Sequence, residues 1–202
     1  MYIYGAGGHA KVIIEILEAQ EVRVGAVFDD NPNSDQLLGY PLFEGCRLKL
    51  LEEDRLIIAI GDNVVRQRVV ERLGLSEDNF GIAVHPDAIL SKRAKIGKGT
   101  VVMQGAVINS CTCIGAHSIV NTGATIDHDG MIGNFCHISP HATLCGAVTV
   151  GDCTQIGAGS VVIPGVHIGS HTLIGAGSVV VTDIPDNVLA YGNPCRIVRM
   201  RM

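Results

Sequence analysis

The sequence predicts a small N-terminal α/β domain (βαβ, Rossmann-like) followed by a left-handed parallel β-helix. Two features carry that expectation. An aliphatic residue recurs at every sixth position from Val84 to Val180. Near the start, the strand-like Tyr2-Ile3-Tyr4 runs into the turn Gly5-Ala6-Gly7-Gly8-His9 and then a helical stretch. Composition agrees: 47% of the 202 residues are hydrophobic, yet only 4% are aromatic, none is Trp and 25 are Gly. Such a chain suits stacked rungs of small and aliphatic side chains better than a core packed around rings. The expected boundaries are 1–80 for the α/β domain, 81–185 for the β-helix and 186–202 for a C-terminal tail.

The six-residue series contains Val84, Leu90, Ile96, Val102, Ile108, Ile114, Val120, Ile126, Ile132, Ile138, Leu144, Val150, Ile156, Val162, Ile168, Ile174 and Val180, with no break in phase. Four residues after most of them sits a mostly small residue, such as Ala106, Ser118, Ala124, Cys136 or Ser178. One hexapeptide makes a short strand and a corner, and three make a triangular coil of 18 residues. A single coil cannot bury its apolar face, so neighbours stack. Each inward Ile or Val contributes about 1.5–3 kcal/mol of burial. A 3.6-residue helical period is absent from this region.

In the N-terminal segment, Ala10–Gln20 has helical spacing, Val22–Phe28 is a second strand ending at Asp29-Asp30, and Leu56–Ile60 is a third ending at Gly61-Asp62-Asn63. A helix is expected from there through Leu73. The Gly-rich turn lets backbone N–H groups approach a phosphate at a helix N-terminus. The acidic pair about twenty residues later can accept from a ribose or base. The segment is too short for two mononucleotide halves, so one nucleotide diphosphate fits better than NAD. His9 is open between a phosphate or sugar contact and an exposed helix start.

The net charge of −5, without a basic block, argues against nucleic acid. Seven cysteines, with no CxxC pair, and a strand-like opening segment are expected to belong to a cytoplasmic protein with reduced thiols. No apolar run is long enough to span a bilayer. None of the eight histidines falls in the inward phases of the β-helix, so most are expected at the surface.

His128 stands out because Asp127 and Asp129 flank it. A carboxylate on one ring nitrogen orients an imidazole and raises the basicity of the other. Gly146 lies one coil further on, so its backbone is expected over His128, where a free N–H can serve an oxyanion. The near-identical segments Ile156-Gly157-Ala158-Gly159-Ser160 and Ile174-Gly175-Ala176-Gly177-Ser178 stack into a smooth ladder along which a long ligand arm can lie.

Together, Tyr4–His9, Phe28–Asp30, Ile58–Asn63, Asn121-Thr122, the His128 segment, Phe135–Ser139 and Gly192-Asn193-Pro194 resemble the bacterial sugar acetyltransferases of the left-handed β-helix class. The likeness is greatest to N-acetyltransferases of UDP-linked 4-amino sugars in bacillosamine-type pathways and to sialic acid O-acetyltransferases. The resemblance implies a homotrimer with acetyl-CoA between adjacent β-helices and no metal. It implies His128 as general base, Asp129 as its supporting carboxylate (commonly Glu in the family) and Gly146 as oxyanion donor. His137 matches a position near the acetyl group, and Ala158 and Ala176 match coenzyme contacts. Gly7, Gly8, His9, Asp29, Asp30 and Gly61 match the nucleotide-sugar site, with a UDP-linked substrate. Asp127 competes with Asp129 for His128. Two other readings remain at this point: a β-helix metalloenzyme of carbonic anhydrase type using His128, His137 and His141, and a non-catalytic nucleotide-sugar-binding scaffold.

Overall fold

Short continuous apolar runs build the first layer of the computed structural model, in which residues 1–201 are described. Strands β1 (Tyr2–Tyr4), β2 (Val27–Asp29), β3 (Gln36–Leu37), β4 (Tyr40–Glu44) and β5 (Leu56–Ile58) form a sheet of order β3-β4-β2-β1-β5. All neighbours are parallel except β3 and β4. Helix α1 (Gly8–Ala19) follows β1 directly, and α2 (Asn63–Leu73) follows β5. Gly5 permits the first turn: its φ is +107°, and a Cβ there would lie 2.8 Å from the Ala59 carbonyl oxygen. Asp62 caps α2 by accepting from Val65 N–H at 2.9 Å, and Gly74 ends it in a left-handed conformation.

From Ala83 onward the chain coils into a triangular prism. Its first face stacks six strands from Ile89–Leu90 to Val179–Val180, and its second face stacks five from Lys95–Ile96 to His167–Ile168. The third face begins at Ala83–Val84 and carries the strands at Val101, Ile119, His137, Gln155 and Leu173. Partners are one coil apart, as in Ile126 with Leu144 and Ile138 with Ile156. The aliphatic series from Val102 to Val180 is buried inside, whereas Val84, Leu90 and Ile96 at the open end are only partly covered.

The small phase does more than fit. Thr100 Oγ1 donates to the Gly115 carbonyl at 2.8 Å and accepts from Ser118 N–H at 3.0 Å. Ser118 repeats this with Gly133 and Cys136, and Thr154 with Gly169 and Thr172. Buried hydroxyls thus satisfy corner backbone groups that the flat strands leave unpaired.

The segment expected as a tail instead closes the prism. Val188–Tyr191 joins the third face parallel to Leu173–Ile174, and Arg196–Met200 returns antiparallel to it. Ile184, Val188, Ala190 and Cys195 cover the last coil. These residues lack the six-residue period, so the repeat did not reveal them.

The two layers are one body. Outward-facing Ala83, Val101 and Ile119 on the third face are buried against α1 residues Ala10, Ile13, Ile14 and Leu17. Arg66 on α2, 1% exposed, forms the second joint. Its guanidinium donates to six oxygens: the Ile60, Gly61, His117, Phe135 and Cys136 carbonyls and Asn63 Oδ1, at 2.8–3.3 Å. Burial pulls Arg66 down to about 10, so it stays charged at neutral pH. Arg66→Met leaves several of those acceptors dry and unpaired. It is expected to cost about 3 kcal/mol or more, measured as a shift in the urea unfolding midpoint, with faster proteolysis at residues 60–63.

Candidate active site

His128 sits on the corner between the first and second faces. Asp129 follows with a φ of +58°, a conformation that Asp tolerates better than most residues, and its carboxylate turns back onto the ring. Asp129 Oδ2 lies 2.8 Å from His128 Nδ1, whereas Asp127 Oδ2 is 4.0 Å from Nε2. Asp129 is therefore the orienting carboxylate, and the competition with Asp127 is resolved by geometry. With Nδ1–H donated to Asp129, Nε2 carries the lone pair. The Asp129 hydrogen bond, followed by the Asp127 charge, raises His128 above the ordinary imidazole value.

Gly146 covers this ring from the next coil. A Cβ at Gly146 would lie 2.6 Å from His128 Cε1 and 2.7 Å from Nε2, so only glycine fits. On the corner between the second and third faces, three equivalent N–H groups are capped by side chains: Asn134 N–H by Asp152, Ser170 N–H by Asp186, Ala116 N–H by Asn134. Among the described residues nothing accepts from the Gly146 N–H, nor from those of Ala158 and Ala176. Ala158 and Ala176 are exposed and stacked on the corner between the third and first faces, joined through the Gly177 N–H to Ala158 carbonyl bond of 2.8 Å.

A second group gathers on the third face. His137 Nε2 is 2.9 Å from Asn121 Nδ2. Asn121 Oδ1 accepts the Thr122 N–H at 2.7 Å, which turns the amide nitrogen toward the ring and makes Nε2 the acceptor. The Gly61 backbone lies beside the same ring. His9 lies beside His137 in the first turn of α1, and its buried Nε2 has no protein partner. Gly7, Gly8 and Gly61 have no positive φ, and a Cβ on any of them would meet nothing within 4 Å. Neither backbone nor packing requires these glycines, and their missing side chains leave a cradle open beside His9.

The acidic pair is less free than the sequence suggested. Asp29 accepts from Ala6 N–H at 2.8 Å and Asn31 N–H at 2.9 Å, holding the Gly-rich turn. Asp30 accepts from Tyr4 Oη–H and from Arg72 Nη2, the latter at 2.9 Å. The Tyr4 bond and Arg72 hold Asp30 below the usual carboxylate range. Arg72 carried no motif signal and was missed. So was Arg66.

Surface positions were expected for most histidines, but His117 is buried. Its ring packs edge-on to Phe80 at 4.5 Å and stacks on Phe135 at 5.0 Å, under the α/β layer. The prism phases said nothing about a neighbour docked outside. The described residues contain no convergent group of three or more His, Cys, Asp or Glu side chains of metal-binding type. No helix among them is long and apolar enough to cross a membrane.

Comparison with known proteins agrees with this architecture. Residues 1–73 match the PglD N-terminal domain, and residues 147–182 match the bacterial transferase hexapeptide (six repeats). Perosamine N-acetyltransferase from Caulobacter crescentus, solved in complex with CoA and GDP-perosamine, is 42% identical with a TM-score of 0.90, over 98% of this chain and 96% of that one. The chain belongs to the hexapeptide-repeat sugar N-acetyltransferases. Within this family, the acetyltransferase domain of PglB from Neisseria gonorrhoeae, in complex with acetyl coenzyme A, is 35% identical with a TM-score of 0.90 over 98% of each chain. UDP-N-acetylbacillosamine N-acetyltransferase of Bacillus subtilis (strain 168) is 45% identical over 107 residues, and that match spans 50% of each chain.

Three buried rings give the joint a pH dependence. Desolvation first, then the Arg66 charge (for His9 also that of His137), brings His9, His117 and His137 down to about 4. Unfolded, each takes up a proton near pH 6.5, so stability is present above that pH and is lost as pH falls toward 4. The loss is expected to reach about 1.4 kcal/mol per pH unit per ring. His117→Phe is expected to flatten the curve of denaturation midpoint against pH in that window.

Proposed function

We propose that the protein is an acetyl-CoA-dependent N-acetyltransferase acting on a nucleotide-linked 4-amino-4,6-dideoxy sugar, with a UDP-linked sugar the first candidate, and that it works as a homotrimer. The neighbours solved with CoA, acetyl coenzyme A and GDP-perosamine support the substrate classes. The free Nε2 of His128 beneath the uncapped Gly146 N–H supports the chemistry.

In this mechanism the amine nitrogen attacks the thioester carbonyl carbon. Gly146 N–H donates to the developing oxyanion, a contribution of about 10²–10³-fold. His128 Nε2 takes a proton from nitrogen, worth about 10²–10⁴-fold, and returns it to sulfur as the carbon–sulfur bond breaks. The products are the amide and CoA–SH. Both substrates are held together, so no acyl-enzyme is required. Ala158 and Ala176 line the coenzyme path with open N–H groups. Gly7, Gly8, His9 and Gly61 form the phosphate and sugar cradle. His137 lies beside the Gly61 loop at the acetyl end of the coenzyme.

One topological observation supports a site shared between copies of the chain, as a homotrimer would provide. The cradle abuts the third face, whereas His128 stands on the corner opposite that face. A prism therefore separates base from acceptor within one chain, and a second copy must supply the missing half. Closed cyclic symmetry satisfies every copy at once.

The composite site has a direct test. His128→Ala and Gly7→Leu, which fills the cradle without a clash, are each expected to be inactive and folded. Co-expressed with distinct tags and purified through both, mixed trimers are expected to recover about a third of wild-type turnover, one intact site in three. Mixed oligomers that stay silent would refute the shared site. The pH profile supplies a second test. His128 must be neutral to act, so kcat/KM falls as pH drops through its raised pKa. Asp129→Asn removes the largest cause of that rise, so the acid limb is expected to move to lower pH with a reduced plateau.

A further inference from the structure

Building on the N-acetyltransferase reading, we propose that Asp127 is a specificity-determining residue that selects an amine over a hydroxyl acceptor. Asp127 Oδ1 is anchored twice. It accepts from Asn109 Nδ2 of the preceding coil at 2.8 Å and from the His128 backbone N–H at 2.8 Å. Those donors leave Oδ2 4.0 Å from His128 Nε2, and no protein group among the described residues donates to it. The Asn109 bond also keeps this carboxyl below its usual range, so it is an acceptor and never a donor at neutral pH.

The facing atoms are thus two acceptors with a gap of 4.0 Å. One atom about 2.9 Å from both subtends an angle of roughly 90°. A primary amine meets this arrangement with one N–H to Nε2, a second N–H to Oδ2, and a lone pair for the thioester carbon. A hydroxyl has a single O–H. Once that hydrogen points at Nε2, oxygen lone pairs face an ionised carboxylate, which opposes binding. In the transfer, the carbon–nitrogen bond forms and the carbon–sulfur bond breaks. The proton on the Nε2 side passes through His128 to the thiolate. The other proton stays on the product amide, bonded to Asp127, which itself takes up nothing.

Asp127→Asn reverses the sign of this contact. The same two donors hold the amide oxygen at the Oδ1 position, so the NH2 group faces the acceptor. With the 4-amino sugar nucleotide, kcat/KM is expected to fall about 10- to 100-fold. With the 4-hydroxy counterpart it is expected to hold or rise, so the amine-to-hydroxyl ratio drops by at least the same factor. Acetyl-CoA affinity is expected to be unchanged. An unchanged ratio, whether both activities fall together or neither does, overturns the selection role. His128→Ala measured alongside separates the two claims: full activity there defeats the parent mechanism, whereas its inactivity with an unchanged Asp127→Asn ratio defeats only this inference.

Discussion

The geometry on the third face depends on one buried guanidinium. Arg66 lies between the end of β5 and the prism corners at His117 and Phe135, with oxygens around it and, among the described residues, no carboxylate in ion-pair range. A lone buried cation is costly unless its hydrogen bonds are complete. Here they reach loop, helix and coil at once, so the charge is stable only when those three parts are in register. The same charge helps keep His9, His117 and His137 neutral. Neutral imidazoles in turn define which ring nitrogen accepts and which donates around Gly61.

Set against this joint, the His128 corner is built on different physics. His128 and Asp129 are exposed, the hydrogen bonds of this corner are short-range in sequence or one coil apart, and its shape comes from stacked rungs rather than from docking. A stiff coil holds backbone atoms in register from rung to rung, which is what an N–H poised over an imidazole needs. On the proposed reading, the docked layer carries the acceptor cradle. Division of labour between a rigid ladder and a docked layer explains why base and cradle belong to different sides of one chain.

The prism was legible because the six-residue period is a global constraint: one slipped position would put an aliphatic residue into water. The pairing of Gly146 with His128 followed from the same arithmetic. The docked layer was harder to foresee. Nothing about Val101 or Ile119 in sequence says that their outward neighbours at this level lie under α1, and the burial of His117 follows from that docking. Arg66 and Arg72 look like ordinary charges on an amphipathic helix until the partners, 42 to 70 residues away, are in place. The flanking aspartates were seen, but their assignment needed the left-handed φ of Asp129, which no local pattern announced.

Because α1 completes its packing on Ala83, Val101 and Ile119, the α/β layer is not a detachable cassette. An engineer who grafts it onto another coil must carry those three outward side chains along, together with the corner carbonyls that receive Arg66.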